Sequence, residues 1–158
     1  MSTNDPGQPA PISPEPSGPL PLAPADERTR AMLAHLSVLL NLVTGFLGVA
    51  AAFAIYLMYK DRSRYVGYHA WQSFIFQLIA WGGGGLVIGV IWAVTGLLSA
   101  LIIGLLCIPF AILLTLAAAL LPLASLVYGV IGAIRCSEGQ DFRYWLVGDW
   151  SRRTLQYN

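Results

Sequence analysis

The residues whose chemistry goes beyond packing are two histidines, His35 and His69, two cysteines, Cys107 and Cys136, and a few amide and hydroxyl side chains set in apolar sequence. A tetrahedral metal site needs three or four ligands, and neither histidine has a carboxylate or thiolate beside it at ligand spacing. Cys107 lies inside an apolar run and Cys136 follows Arg135 at a hydrophobic edge. Two cysteines without patterned spacing predict free thiols rather than a disulfide framework or zinc site. The expectation is no metal and no cofactor. No nucleophile is matched to a base and residues 65–134 hold no acid pair, so an enzyme is not expected either. Gly82-Gly83-Gly84-Gly85 lacks the Gly-Lys-Ser/Thr that completes a phosphate-cradling loop.

One spacing does stand out. His69, Gln72, Ser73 and Gln77 recur at offsets of three and four, which places them on one helical face. His35 and Asn41, six apart, do not stack strictly on a regular helix, yet both can face a bundle interior. Polar side chains inside an apolar segment are costly unless hydrogen-bonded to one another, and they often mark a functional position. The six residues predict a polar seam between a first and a second helix.

Those helices belong in a membrane. Of the 158 residues 56% are hydrophobic and 11% charged, against ~25% charged in an average globular protein, and the mean hydropathy is +0.65. Every charge falls within residues 5–30, 60–64 or 135–153, which leaves about 70 consecutive residues, 65–134, without an ion. A run of ~18 already suggests a span. A net charge of +1 without a Lys/Arg run excludes nucleic acid as an expected partner, because phosphate binding needs clustered cations. The lipid bilayer is the expected one.

Residues 1–25 hold eight of the ten prolines, and this composition predicts a disordered, polyproline-like tail. No apolar stretch there resembles a signal peptide, so the mature chain is expected to start near Met1. A transmembrane domain over 26–150 follows, then a short tail, 151–158. The expected architecture is all-α, a bundle of three transmembrane helices over about 31–59, 66–98 and 109–135, or four if the apolar connection 97–106 or a break at 44–48 adds a crossing. At ~1.5 Å per residue, 31–59 is longer than a ~30 Å hydrocarbon core needs, and Gly45 and Gly48 mark its weak point. Pro109 suits a helix's first turn, and Pro122 should kink the last helix.

Lys60-Asp61-Arg62-Ser63-Arg64 carries +2, and the positive-inside rule assigns it to the cytoplasm. With three spans the C-terminus shares that side and the N-terminus lies outside; if 31–59 is a broken pair of half-helices, both termini are cytoplasmic. Trp71, Trp81, Trp92, Trp145 and Trp150 flank the apolar runs like an interfacial belt. Gly85-x-x-x-Gly89 and Ser125-x-x-x-Gly129-x-x-x-Ala133 form small-residue ridges expected to pack helices within the chain or between copies.

Three motifs together resemble a known family. Glu27-Arg28-Thr29-Arg30-Ala31-Met32-Leu33-Ala34-His35-Leu36-Ser37, then Lys60-Asp61-Arg62-Ser63-Arg64-Tyr65-Val66 with His69-Ala70-Trp71-Gln72-Ser73, then Glu138-Gly139 with Phe142-Arg143-Tyr144-Trp145-Leu146-Val147-Gly148-Asp149-Trp150, look like the DUF4870 (Tic20-like) membrane proteins. The resemblance implies a multi-pass membrane protein and carries no catalytic residues. Two roles are consistent with these features. One is a structural or assembly component of a membrane complex, as a homo-oligomer or with other membrane proteins in the cell membrane. The other is a small transport or protein-translocation subunit built on the polar seam.

Overall fold

The computed structural model describes residues 21–156, and within them every regular element is helical. The expected disordered tail lies mostly outside the described residues. Among the described residues the first helix, α1 (Pro24–Leu36), begins with proline at its first position and Asp26 and Glu27 in its first turn. All three suit a helix start, since proline's missing N–H costs nothing there and carboxylates complement the positive end of the helix dipole.

The stretch expected as one helix over 31–59 is folded back on itself. A 3-10 turn (Ser37–Leu40) continues α1 into the single turn α2 (Asn41–Thr44). Gly45 then takes φ +77° and reverses the chain into α3 (Leu47–Tyr59). A left-handed φ is natural for glycine and strained for other residues. Gly48 is the second requirement: a Cβ there would fall on the Ser37 carbonyl oxygen and within 2.7 Å of Asn41 Oδ1. Two glycines therefore turn a long apolar run into a tight helical hairpin.

Ser63 caps α4 (Arg64–Gln77), its hydroxyl accepting from the Val66 N–H at 3.1 Å. A π-helical turn (Leu78–Gly83) at the glycine run joins α4 to α5 (Gly84–Ser99), so that Arg64–Ser99 is one continuous helix of 36 residues. The next reversal falls at 100–102, inside the apolar connection 97–106, where Ile102 adopts φ +66° and Gly104 lies against the Leu98 and Ser99 backbone. α6 (Ile103–Ser137) begins earlier than expected and holds both Pro109 and Pro122 in its interior. Gly84 faces Pro122, with its Cβ position 3.7 Å from Pro122 Cδ. α7 (Gly148–Leu155) closes the chain and runs through residues expected to form a tail.

Arg64–Ser99 and Ile103–Ser137 are each long and apolar enough to cross a membrane, whereas α3 is an apolar helix of 13 residues. Only 17% of the most apolar window in each long helix is buried within the chain. Most of their apolar surface therefore faces outward, as lipid contact requires. The basic loop and the C-terminal segment meet at one end of the bundle, where Arg64 donates to the Gln156 carbonyl and Tyr65 to the Gln140 carbonyl at 3.0 Å. Gly139 sits against the Arg28 guanidinium, so the start of α1 lies at that end too.

Candidate functional site

His35, Asn41, His69, Gln72, Ser73 and Gln77 are all buried, none more than 1% exposed. They lie where α1, the 3-10 turn, α4 and α6 converge. The 3-10 turn explains how His35 and Asn41 share a face. Six α-helical residues would leave them ~120° apart around the axis, and four steps at ~120° per residue reduce that to ~40°.

Their hydrogen bonds form two linked groups. Asn41 Nδ2 donates to Gln77 Oε1 at 3.0 Å, and Gln77 Nε2 donates to the hydroxyls of Ser37 and Ser73 at 3.0 and 2.9 Å. Ser37 and Ser73 both donate to the Ala34 carbonyl, while Asn41 Oδ1 accepts from the Gly48 N–H at 2.7 Å and so anchors α3. In the second group Gln72 ties α4 to the closing segment. Its Oε1 accepts from Tyr68 Oη at 2.8 Å and from the Tyr144 N–H at 3.2 Å, and its Nε2 donates to the Phe142 carbonyl at 3.1 Å. Such bonds remove the large cost of burying amides without partners.

The histidines sit between the groups. His35 Nδ1 lies 2.9 Å from Tyr144 Oη, and His35 Nε2 lies 3.3 Å from His69 Nδ1. His69 Nε2 is buried without a hydrogen-bond partner, 3.8 Å from Asp141 Oδ1. Asp141 also pairs with Arg152, whose Nε reaches Tyr68 Oη at 3.4 Å. Tyr144 stacks on Phe76 with centroids 4.2 Å apart, and burial holds its phenol above the ordinary tyrosine range, so it serves as a neutral hydroxyl.

Tyr144, Asp141, Ser37 and Cys136 belong to this knot and were not among the residues singled out by spacing. One signal for Cys136 was present: it continues the Ser125, Gly129, Ala133 ridge by one more turn. The fold brings one ligand atom each of His35, His69 and Cys136 to within 4.8 Å of one another. That ridge packs on α1 and the 3-10 turn, with the Gly129 Cβ position 2.5 Å from Val38 Cγ1 and 3.1 Å from the His35 carbonyl. Gly85 and Gly89, by contrast, are exposed with nothing within 4 Å of a Cβ position, so this second ridge packs against nothing among the described residues. Of the tryptophans, Trp81 donates to Ser125 Oγ and Trp92 to Thr115 Oγ1, both at 2.9 Å, whereas Trp145 is 87% exposed.

The model of the magnetosome magnetite crystal formation protein family (MamF/MmsF) matches residues 26–151, and the chain belongs to that family. This corrects the resemblance to the DUF4870 (Tic20-like) proteins. The three motifs behind that resemblance supply most of the buried knot, and thus describe how helices pack more than which family they come from. No curated protein and no solved structure matches the chain.

Proposed function

We propose, from membership of the magnetosome magnetite crystal formation protein family, that this chain is a non-enzymatic assembly component of the magnetosome membrane. In this reading it crosses the bilayer with the α4–α5 and α6 helices, and α1 to α3 form a shorter hairpin packed at one end. The observation that carries it is the outward apolar surface of the two long helices, only 17% buried in their most apolar windows. On that surface lies the unpacked Gly85/Gly89 ridge, of a kind that lets another helix approach closely. The basic loop 60–64 and the C-terminal segment, at the opposite end from the 100–102 turn, lie on the cytoplasmic side by the positive-inside rule.

The knot supports an assembly role rather than a conduit. Its amides are sealed from solvent and bonded to one another, whereas a transport path needs polar groups that an entering solute can reach. Crosslinking in native membranes followed by affinity capture tests the proposal. Recovery of a homo-oligomer, or of the chain with other magnetosome membrane proteins, is expected. Recovery of monomer alone contradicts it. Solute flux in liposomes that is lost on exchanging His69 and Gln77 for Ala and Leu would favour transport instead.

A further inference from the structure

We propose that His35, His69 and Cys136 form a buried site for a first-row transition metal that accepts both imidazole and thiolate, of which Zn(II) is the representative ion. The three residues come from α1, α4 and α6, are each 0% exposed, and offer ligand atoms within 4.8 Å of one another. His35 Nε2 and His69 Nδ1 are 3.3 Å apart, close to the ~3.3 Å edge of a tetrahedron with ~2.0 Å metal–nitrogen bonds. An ion bound to these two nitrogens makes both outer nitrogens N–H donors. Each then faces an oxygen: Tyr144 Oη lies 2.9 Å from His35 Nδ1, and Asp141 Oδ1 lies 3.8 Å from the otherwise unpartnered His69 Nε2. Outer oxygens hydrogen-bonded to metal-bound histidines fix their tautomer and orientation; Tyr144 Oη is already at that distance, and Asp141 Oδ1 lies just beyond it.

Charge and ligand type narrow the ion. A Cys136 thiolate and the Asp141 carboxylate, whose other oxygen pairs with Arg152, offset a divalent cation. Thiolate with imidazole selects zinc or copper over magnesium or calcium, which prefer oxygen. Three protein ligands leave the fourth position to water.

The test uses the full chain in detergent with Zn(II) or Co(II) alone. One ion per chain is expected, with a thiolate-to-cobalt charge-transfer band in the Co(II) form. Cys136→Ser should abolish the band and Cys107→Ser should keep it. Asp141→Asn, a positioning change, should weaken affinity by roughly 10- to 100-fold. Should Cys136→Ser fail to fold, X-ray absorption on the Zn(II)-loaded native chain decides, with one sulfur and imidazole nitrogens expected in the first shell. A chain that binds no ion, a band that survives Cys136→Ser, or a first shell without sulfur overturns the proposal and leaves a plain imidazole–imidazole hydrogen bond.

Discussion

The two ends of the helical bundle solve opposite problems with similar residues. At the end formed by α1, α3, α4 and the closing segment, helices approach over glycine and are locked by buried amides, hydroxyls and imidazoles. Gly48 lies on the Ser37 carbonyl and Gly129 on Val38. At the other end, α5 and the first half of α6 present Leu86, Leu97, Leu106 and Leu113, all more than 60% exposed, and Gly85, Gly89 and Gly96, with nothing within 4 Å of a Cβ position. Gly48 and Gly129 thus mark close approach within the chain, whereas Gly85 and Gly89 mark surface available to lipid or another helix. Spacing alone does not distinguish the two meanings, because both ridges read small-x-x-x-small.

Substitutions can break this contrast. The largest expected effect is at Gly48. An alanine there must displace the Ser37 carbonyl and disturb the 2.7 Å bond to Asn41, so Gly48→Ala should cost about 3 kcal/mol, the upper end for overpacking. Chemical denaturation in detergent, followed by circular dichroism, measures it. Next is Gln72→Leu, which removes the partner of the Tyr144 N–H and the Phe142 carbonyl and the acceptor of the Tyr68 hydroxyl, which keeps its contact with Arg152. Roughly 2 kcal/mol is expected from the stranded groups, with faster hydrogen exchange at the Tyr144 amide. Gly45→Ala should cost about 1 kcal/mol, because φ +77° is strained for a residue with a Cβ. Smallest is Gly89→Ala. With nothing within 4 Å, it should leave the monomer unchanged or raise its stability by up to about 1 kcal/mol through helix propensity. If the ridge is an intermolecular contact, the same change should lower the yield of crosslinked oligomer in membranes.

Much of the membrane character was legible in the sequence. The ion-free 65–134 segment required apolar helices, and polar spacing singled out six residues that the fold indeed brings together, a geometric convergence that leaves their function open. What was not legible depends on backbone detail. The reversal at Gly45 turns on a positive φ that apolar composition does not encode, although the paired glycines marked the place. The turn at 100–102 relies on Ile102 in a conformation that no β-branched residue advertises. Cys136, Tyr144 and Asp141 join His35 and His69 only through long-range packing of α6 and the closing segment. Family membership was also hidden: the three motifs pointed to the DUF4870 (Tic20-like) proteins, whereas the family model that matches is that of the magnetosome magnetite crystal formation proteins.

The division into a hydrogen-bonded end and a lipid-facing end is tested most directly by thiol accessibility in native membranes. Leu113→Cys, in the apolar half of α6, and Trp145→Cys, in the closing segment, are treated separately with a membrane-impermeant maleimide on opened membranes that expose both faces. The expected result is labelling at position 145 and none at 113 until the membrane is dissolved in denaturing detergent. Ready labelling at 113 in intact bilayers would contradict the account.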